Sequence, residues 1–303
     1  MTTHKGAMTI SDCAMMMSNS VMTMTDDVTR VAFQGERGAF SEEAAFKLLG
    51  ERITLVPRPT FESLFAAVGE GAADCALAPI ENSLAGSVQK TYELLLDSPL
   101  HIAGEVVRPI RHFLIGCPGS TLEGVTTVES HPVALAQCER FFAARPRIRR
   151  VAAEDTAGSV AAILKRGDPT CAAIAGLRAA EIYGGVVLLE RLEDHTENFT
   201  RFVLLAHASN VEDGADKLSL VFRLPPGGGA LNRALEPFAR RGIDLLKIET
   251  RPVKGQPWEY HFFLDFRVLP QDAQVEDALA ELRQRAVGVR LLGRYPSARM
   301  PFT

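Results

Sequence analysis

From Val31 onward, apolar and polar positions fall into short alternating blocks. Val31-Ala32-Phe33 reads as a strand, and Gln34 to Phe40 as a turn with glycines at 35 and 38. Ser41 is then expected to cap a helix carrying Glu42 and Glu43 in its first turn, where negative charge suits the helix dipole. Ile53-Thr54-Leu55-Val56 predicts a second strand, followed by a helix from about Thr60 to Glu70. Cys75 to Ile80 is an apolar strand that ends in Glu81-Asn82-Ser83 and Gly86-Ser87, and a helix from Ser87 to Leu96 follows. Residues 101–116 are apolar and extended, which predicts a crossing between two lobes. Strand Val125–Val128 leads through Glu129-Ser130-His131-Pro132 into a helix from about His131 to Ala144. Beyond Val151 the pattern gives a helix to Lys165, strand Cys171–Ala175, helix Gly176–Tyr183 and strand Val186–Leu189. A polar loop with Asp194 and Asn198-Phe199-Thr200 then enters the buried strand Arg201–Ala206. This alternation argues for an α/β unit with two lobes around a central cleft.

The pattern changes after His207. His207 to Asp216 is polar and reads as a linker. Lys217 to Leu224 alternates as a strand, a helix is expected from about Ala230 to Arg241, and strands near 244–252 and 258–268 follow. A helix near 272–285 and a strand near 288–294 complete β-α-β-β-α-β, a ferredoxin-like unit with both helices on one sheet face. Such a sheet often pairs or packs with its own copy, so a homodimer or homotetramer is expected. The chain is thus divided into a flexible extension (1–28), a two-lobed unit (29–207), a linker (208–216) and a tail unit (217–303).

Composition narrows the choices. A net charge of −4 gives no electrostatic reason to expect nucleic acid or an acidic membrane as partner, so ligand charge must be read locally. The five cysteines are scattered, odd in number and never in a C-x-x-C pair, which argues against a zinc site or a disulfide framework. A reducing, cytoplasmic setting is expected. No apolar run approaches the roughly 20 residues of a membrane span. The first 27 residues, broken by Asp12, Asn19 and Asp26-Asp27, lack the continuous apolar core of a secretory signal.

Candidate chemistry gathers where strands meet helices. The Gly35–Gly38 turn before a helix can hold an anion through backbone N–H groups, but it is not a dinucleotide fingerprint. Asn82 is either a turn residue or a ligand group at a strand's carboxyl end, and Ser87 reads first as a cap. Gln137 follows Ser130 by seven residues, close to two helical turns, so the two can face one cleft wall. His131, in a first helical turn, fits a hydrogen-bonded scaffold piece better than a general acid. Thr200 alone is more simply a β-branched residue opening a strand. The other candidates change that reading.

Together these stretches resemble the prephenate dehydratases and their arogenate dehydratase relatives, from Val31 to about Pro296. The matching pieces are Gln34-Gly35-x-x-Gly38-Ala39-Phe40-Ser41, Pro79-Ile80-Glu81-Asn82-Ser83 with Gly86-Ser87, Gly104-Glu105, Ser130-His131-Pro132 with Gln137-Cys138, and Asn198-x-Thr200-Arg201-Phe202. The resemblance implies a two-lobed, periplasmic-binding-protein-like catalytic domain followed by an ACT regulatory domain. It implies loss of CO2 and the ring hydroxyl from prephenate to give phenylpyruvate, without a cofactor or metal. By match Thr200 is the catalytic threonine. Asn82, Ser130 and Gln137 would serve the reaction beside it, with Ser87, Thr156, Arg201 and Ala39 as further substrate contacts. In the tail, Gly229-Ala230-Leu231 with Asn232, and Glu249-Thr250-Arg251-Pro252, stand in the two phenylalanine-binding motifs, which implies feedback by L-phenylalanine. Asn232 departs there from a usual apolar residue and Thr250 from serine. Gln34 and Ala39 stand where many bacterial prephenate enzymes have Pro and Thr, and are closer to the arogenate-using relatives. The stretch before the first strand is expected to be too short for a chorismate mutase unit.

Overall fold

A computed structural model of the chain describes residues 28–207, 214–269 and 273–299. Residues 1–27 of the extension expected over 1–28, and residues 208–213 of the linker expected over 208–216, lie outside them. Three sheets organise the rest. Strands β1 (Thr29–Gln34), β2 (Ile53–Arg58) and β3 (Cys75–Asn82) pair in parallel, with β1 central. The short β4 (Gly86–Ser87) folds back on β3, and β5 (His101–Pro109) lies at the far edge. Between β3 and β5, antiparallel to both, runs β11 (Phe199–Ala206), contributed by the end of the two-lobed region.

The second sheet has the order β10-β6-β9-β7-β8, from β6 (Phe113–Gly116), β7 (Thr127–Ser130), β8 (Arg149–Ala152), β9 (Cys171–Ala175) and β10 (Val186–Leu189). The chain therefore crosses between sheets twice, out after β5 and back before β11. Two lobes joined by two crossings is the periplasmic-binding-protein-like arrangement, with a cleft where the crossings meet.

Local chemistry sets the helices. Helix α1 (Phe40–Leu49) begins one residue earlier than Ser41, the cap expected from sequence; Ala39 occupies the cap position and offers no side chain. Glu42, buried in the first turn, instead reaches back to accept from Gly38 N–H at 3.0 Å and Arg37 Nε at 2.7 Å. That clasp fixes the preceding turn. Gly38 has a positive φ of 85°, and a Cβ there would lie 2.7 Å from Ala179 Cα on the opposite lobe, so only glycine fits. Helix α2 (Phe61–Gly69) opens with a reciprocal capping box between Thr60 and Ser63. Helix α3 (Gln89–Asp97) starts after Val88, so Ser87 lies in β4 and is not a helix cap.

The single helix expected over 131–144 is two short pieces, α4 (Pro132–Ala136) and α5 (Glu139–Ala143). The break at Gln137-Cys138 is held by Asp194, whose carboxylate accepts from Glu139 N–H at 2.8 Å and Arg140 N–H at 3.0 Å. An external carboxylate thus restarts the helix where its own side chains do not. Helix α6 (Thr156–Arg166) is capped by Asp155 and ends on left-handed Gly167, and α7 (Leu177–Tyr183) follows β9.

The third sheet has the order β13-β14-β12-β15, from β12 (Lys217–Arg223), β13 (Leu245–Pro252), β14 (Tyr260–Arg267) and β15 (Val287–Tyr295). Helices α8 (Ala230–Ala239) and α9 (Ala273–Arg285) complete the ferredoxin-like order. Leu218, Leu220, Phe222, Leu264 and Phe266 pack under these helices. The opposite face does not wait for a copy of itself: Val221, Phe263, Leu292 and Tyr295 join Leu64, Tyr92, Leu95 and Ile102 in one core with the first lobe. Contact is close enough that a Cβ on Gly293 would lie 2.0 Å from Ile102 O. Among the described residues the outer edge of β13 is unpaired, with Leu245, Leu246 and Ile248 exposed along it. Among the described residues, no helix is long and apolar enough to cross a membrane.

Candidate active site

A cleft of about 490 Å³ lies between the lobes, a volume suited to a small organic ligand. Gln34, Ala39, Phe40, Asn82, Ser87 and Thr200 line it from the first lobe, and His112, His131, Gln137 and Thr156 from the crossing and second lobe. Asn82 and Thr200 are direct partners across the β3–β11 pair, so the sheet register itself brings them together.

The polar groups form one ordered network. Asn82 Oδ1 accepts the backbone N–H groups of Leu84 (3.0 Å) and Ala85 (2.8 Å). A carbonyl oxygen must therefore face those groups, which fixes the amide and turns its nitrogen inward. That Nδ2 donates to Asn198 Oδ1 at 2.9 Å, Thr200 Oγ1 at 2.9 Å and Phe199 O at 3.1 Å. With its lone pair already accepting from Asn82, the Thr200 hydroxyl has its proton free to donate to a ligand. Asn198, fully buried, passes the polarity on by donating Nδ2 to Gln137 Oε1 at 2.9 Å. Gln137 Oε1 also receives His112 Nε2 at 2.8 Å, while Gln137 Nε2 makes a long 3.4 Å contact to Asn82 Oδ1.

No lysine or arginine lines this cleft among the described residues. Positive potential comes instead from helix starts: α1 at Phe40 and α6 at Thr156 both begin on its wall. His131 caps α4, its Nδ1 accepting from Val133 N–H at 3.2 Å, and burial lowers its pKa despite nearby Asp155. Burial likewise lowers His112, against the opposing pull of Gln137 and Glu193. The cleft is therefore lined by amide and hydroxyl donors, two imidazoles and helix starts, with the carboxyl residues Glu154 and Asp155 on the second-lobe side. Such donors and helix starts can hold carboxylates and donate to a departing oxygen without a resident cation.

Not every residue expected from sequence belongs to it. Thr200, Asn82, Gln137, Thr156 and Ala39 line the cleft, but Ser130 does not. Ser130 is fully buried and donates Oγ to Ile174 O at 2.6 Å, tying β7 to β9; the helix break at Gln137 removes the shared face assumed for the two. Arg201 is also absent from the cleft. Strand alternation turns it to the opposite face from Thr200, where it pairs with Glu105 at 2.6 Å and with Asp265 of the tail at 2.8 Å. Ser87 sits on the rim, yet its hydroxyl is engaged by Glu249 of β13.

The two tail motifs divide in the same way. Gly229 precedes α8 in a left-handed conformation, with Ala230 half-buried and Leu231 and Asn232 exposed. On β13, Glu249 and Arg251 pair with each other on the side facing the first lobe, while Thr250 and Pro252 are exposed. Two site residues were missed in the sequence. Asn198 stands two positions before Thr200, the spacing that shares a strand face, and His112 is an imidazole next to the apolar run Phe113–Gly116 of the crossing segment.

Comparison with known proteins adds independent findings. The family model described as prephenate dehydratase matches residues 31–210, more than half of the chain. A bifunctional chorismate mutase/prephenate dehydratase of Neisseria gonorrhoeae is 39% identical over 269 residues, covering 88% of this chain and 74% of that protein. The chloroplastic arogenate dehydratase/prephenate dehydratase 1 of Arabidopsis thaliana is 40% identical over 287 residues, covering 89% and 73%. Among solved structures, the prephenate dehydratase of Arthrobacter aurescens in complex with L-Phe superposes with a TM-score of 0.80 at 34% identity, over 88% of this chain and 89% of that one. A structure described as a novel type of quorum-quenching acylase gives 0.81 at 32% identity, over 90% and 99%.

Proposed function

The chain belongs to the prephenate dehydratase family, and from that premise we propose that it converts prephenate to phenylpyruvate, CO2 and water in the supply of L-phenylalanine. The bond from ring carbon to carboxylate breaks, its electron pair enters the ring, and the C–O bond opposite breaks. The departing oxygen leaves as water once it has gained a proton. Aromatisation drives the step, so the protein needs chiefly to hold two carboxylates and stabilise the leaving oxygen.

The observation that carries this reading is the free donor of Thr200. Its oxygen is held by Asn82 and its proton is left for a ligand, in a cleft without competing cations. Thr200 serves as hydrogen-bond donor to the leaving oxygen, Asn82 and Gln137 orient the substrate, and the starts of α1 and α6 with Thr156 and Ala39 receive its carboxylates. The test is turnover of prephenate by the purified chain and by Thr200→Ala. Phenylpyruvate from the first and its near loss in a folded variant supports the reading.

A second substrate is favoured by specific observations: Gln34 and Ala39 on the cleft wall, and relatives named for arogenate at the same level of identity. Higher kcat/KM on arogenate, giving phenylalanine, would make that the main activity. Acylase activity without turnover of either compound would replace both readings with that of the acylase-described neighbour.

In this reading residues 29–207 form the catalytic unit and 217–303 the regulatory ACT unit. L-phenylalanine binds at Gly229–Asn232 and β13, as the ligand of the Arthrobacter relative suggests. The unpaired β13 edge with its exposed leucines supports a homodimer or homotetramer, which sedimentation checks. Cys75, Cys117, Cys138 and Cys171 are all free thiols, in keeping with a cytoplasmic enzyme.

A further inference from the structure

His112 is the deepest ionisable group of the cleft, 2% exposed, and the proposed chemistry gives it no task. Its surroundings are built to hold it beside Gln137. The segment Leu192–Asp194 bonds both: Leu192 N–H donates to His112 O at 2.9 Å, His112 N–H to Glu193 Oε2 at 2.9 Å, and Asp194 N–H to Gln137 O at 2.8 Å. Phe40 meets the imidazole edge-on at 5.9 Å between ring centroids.

The direction of the hydrogen bond between them is determined. Asn82 cannot reverse its amide without setting its NH2 against the N–H groups of Leu84 and Ala85. With Asn82 fixed, Asn198 Oδ1 must accept and Asn198 Nδ2 must donate. Gln137 therefore presents Oε1 to Asn198 and also to His112 Nε2, which must carry a hydrogen. His112 Nδ1 has no hydrogen-bond partner among the described residues. Were Gln137 reversed, its oxygen would face Asn82 Oδ1 across 3.4 Å, acceptor against acceptor.

We propose that His112 is a positioning residue for the reaction: as the Nε2–H imidazole it locks the Gln137 amide with its NH2 toward Asn82 and the cleft. This rests on the dehydratase reading, with Gln137 as a substrate donor. His112 touches Gln137 and acts through it. Two donors on one oxygen, one from each side of the cleft wall, hold the amide in a single orientation that either alone would define less sharply.

The side-chain nitrogen of glutamine can occupy the place of imidazole Nε2, whereas that of asparagine replaces Nδ1. His112→Gln thus keeps the donor and His112→Asn removes it. We expect kcat/KM on prephenate within about threefold of wild type for H112Q and roughly tenfold lower for H112N, about the worth of one hydrogen bond, with kcat carrying most of the loss. Equal activities of folded H112Q and H112N, or an inactive folded H112Q, would overturn the proposal. Nitrogen-15 NMR of the wild-type imidazole supplies a readout independent of turnover: the expected state is Nε2 protonated and Nδ1 bare, and an Nδ1–H tautomer overturns the proposal even if both variants fail to fold. Because the tautomer is read without substrate, its failure is distinct from failure of the dehydratase reading, which inactive wild-type protein would reveal.

Discussion

Thr200 and Arg201 are neighbours on one strand, yet they face opposite kinds of environment. In front of Thr200 is a cleft of amides, hydroxyls and helix starts, with no lysine or arginine among its described lining. Behind it, Arg201 pairs with Glu105 and Asp265 and donates to Tyr295 Oη at 3.0 Å, while Lys217 reaches Glu105 at 3.1 Å. Ser219 donates to Asp265 at 2.6 Å and shares a hydrogen bond with Tyr295. Burial alone would lower the Arg201 guanidinium, but Asp265, Tyr295 and Glu105 more than offset it and hold it charged. Tyr295 is held neutral by burial and by Asp265. A donor that must serve a ligand has to be left uncommitted; a group that anchors a domain has to be fully committed. One strand meets both needs because its side chains alternate.

The sharpest break of this comparison is Arg201→Ala. Removing the cation leaves Glu105 and Asp265 buried with fewer partners, which costs about 3–5 kcal/mol. Chemical denaturation should show the loss, with the tail's contact to the first lobe weakened. A stability change below about 1 kcal/mol would mean that the ionic face does not anchor the tail. Thr200→Ala tests the opposite face. Loss of one preorganised donor should lower kcat by about 10²–10³-fold while the melting temperature barely moves. An equal loss of stability would show that the hydroxyl is a structural group.

Much of this was legible in the chain. The order of strands and helices follows from apolar periodicity, and the resemblance to the prephenate dehydratases picks out Thr200, Asn82 and Gln137, which line one cleft. Three features were not legible, each for a physical reason. The resemblance implies Arg201 as a substrate contact, but only pairing with β3 and β5 decides which face a strand residue takes. Ser130 and Gln137 were given one face by assuming a continuous helix, and the carboxylate that interrupts it comes from Asp194, more than fifty residues later. His112 carries no local motif; its meaning comes from Gln137 and Glu193, both remote in sequence. Ser130→Ala sharpens the second point. It should cost about 1 kcal/mol of stability for the lost bond to Ile174 O and leave kcat within about twofold. A hundredfold fall in kcat would return Ser130 to the chemistry.

The smallest effect lies where the two environments come closest. Ser87 on the cleft rim donates to Glu249 of the tail, and Lys247 holds Glu81 at 2.6 Å beside them. Burial alone would raise the Glu249 carboxyl, but Ser87 and Arg251 more than offset it and hold it below the usual glutamate range. A carboxyl depressed in the folded state adds stability above the unfolded value, about 4.3, and loses it as pH falls through the folded value. Glu249→Gln should therefore cost about 0.5 kcal/mol at neutral pH, and its gap in melting temperature from wild type should close in acid. A gap that persists unchanged at acid pH would show that the pair contributes by shape, not charge. Because Ser87 is shared between rim and tail, the same variant should leave kcat nearly unchanged but weaken any effect of L-phenylalanine on KM. The ionic face thus reaches the rim of the cleft through the Ser87 hydroxyl.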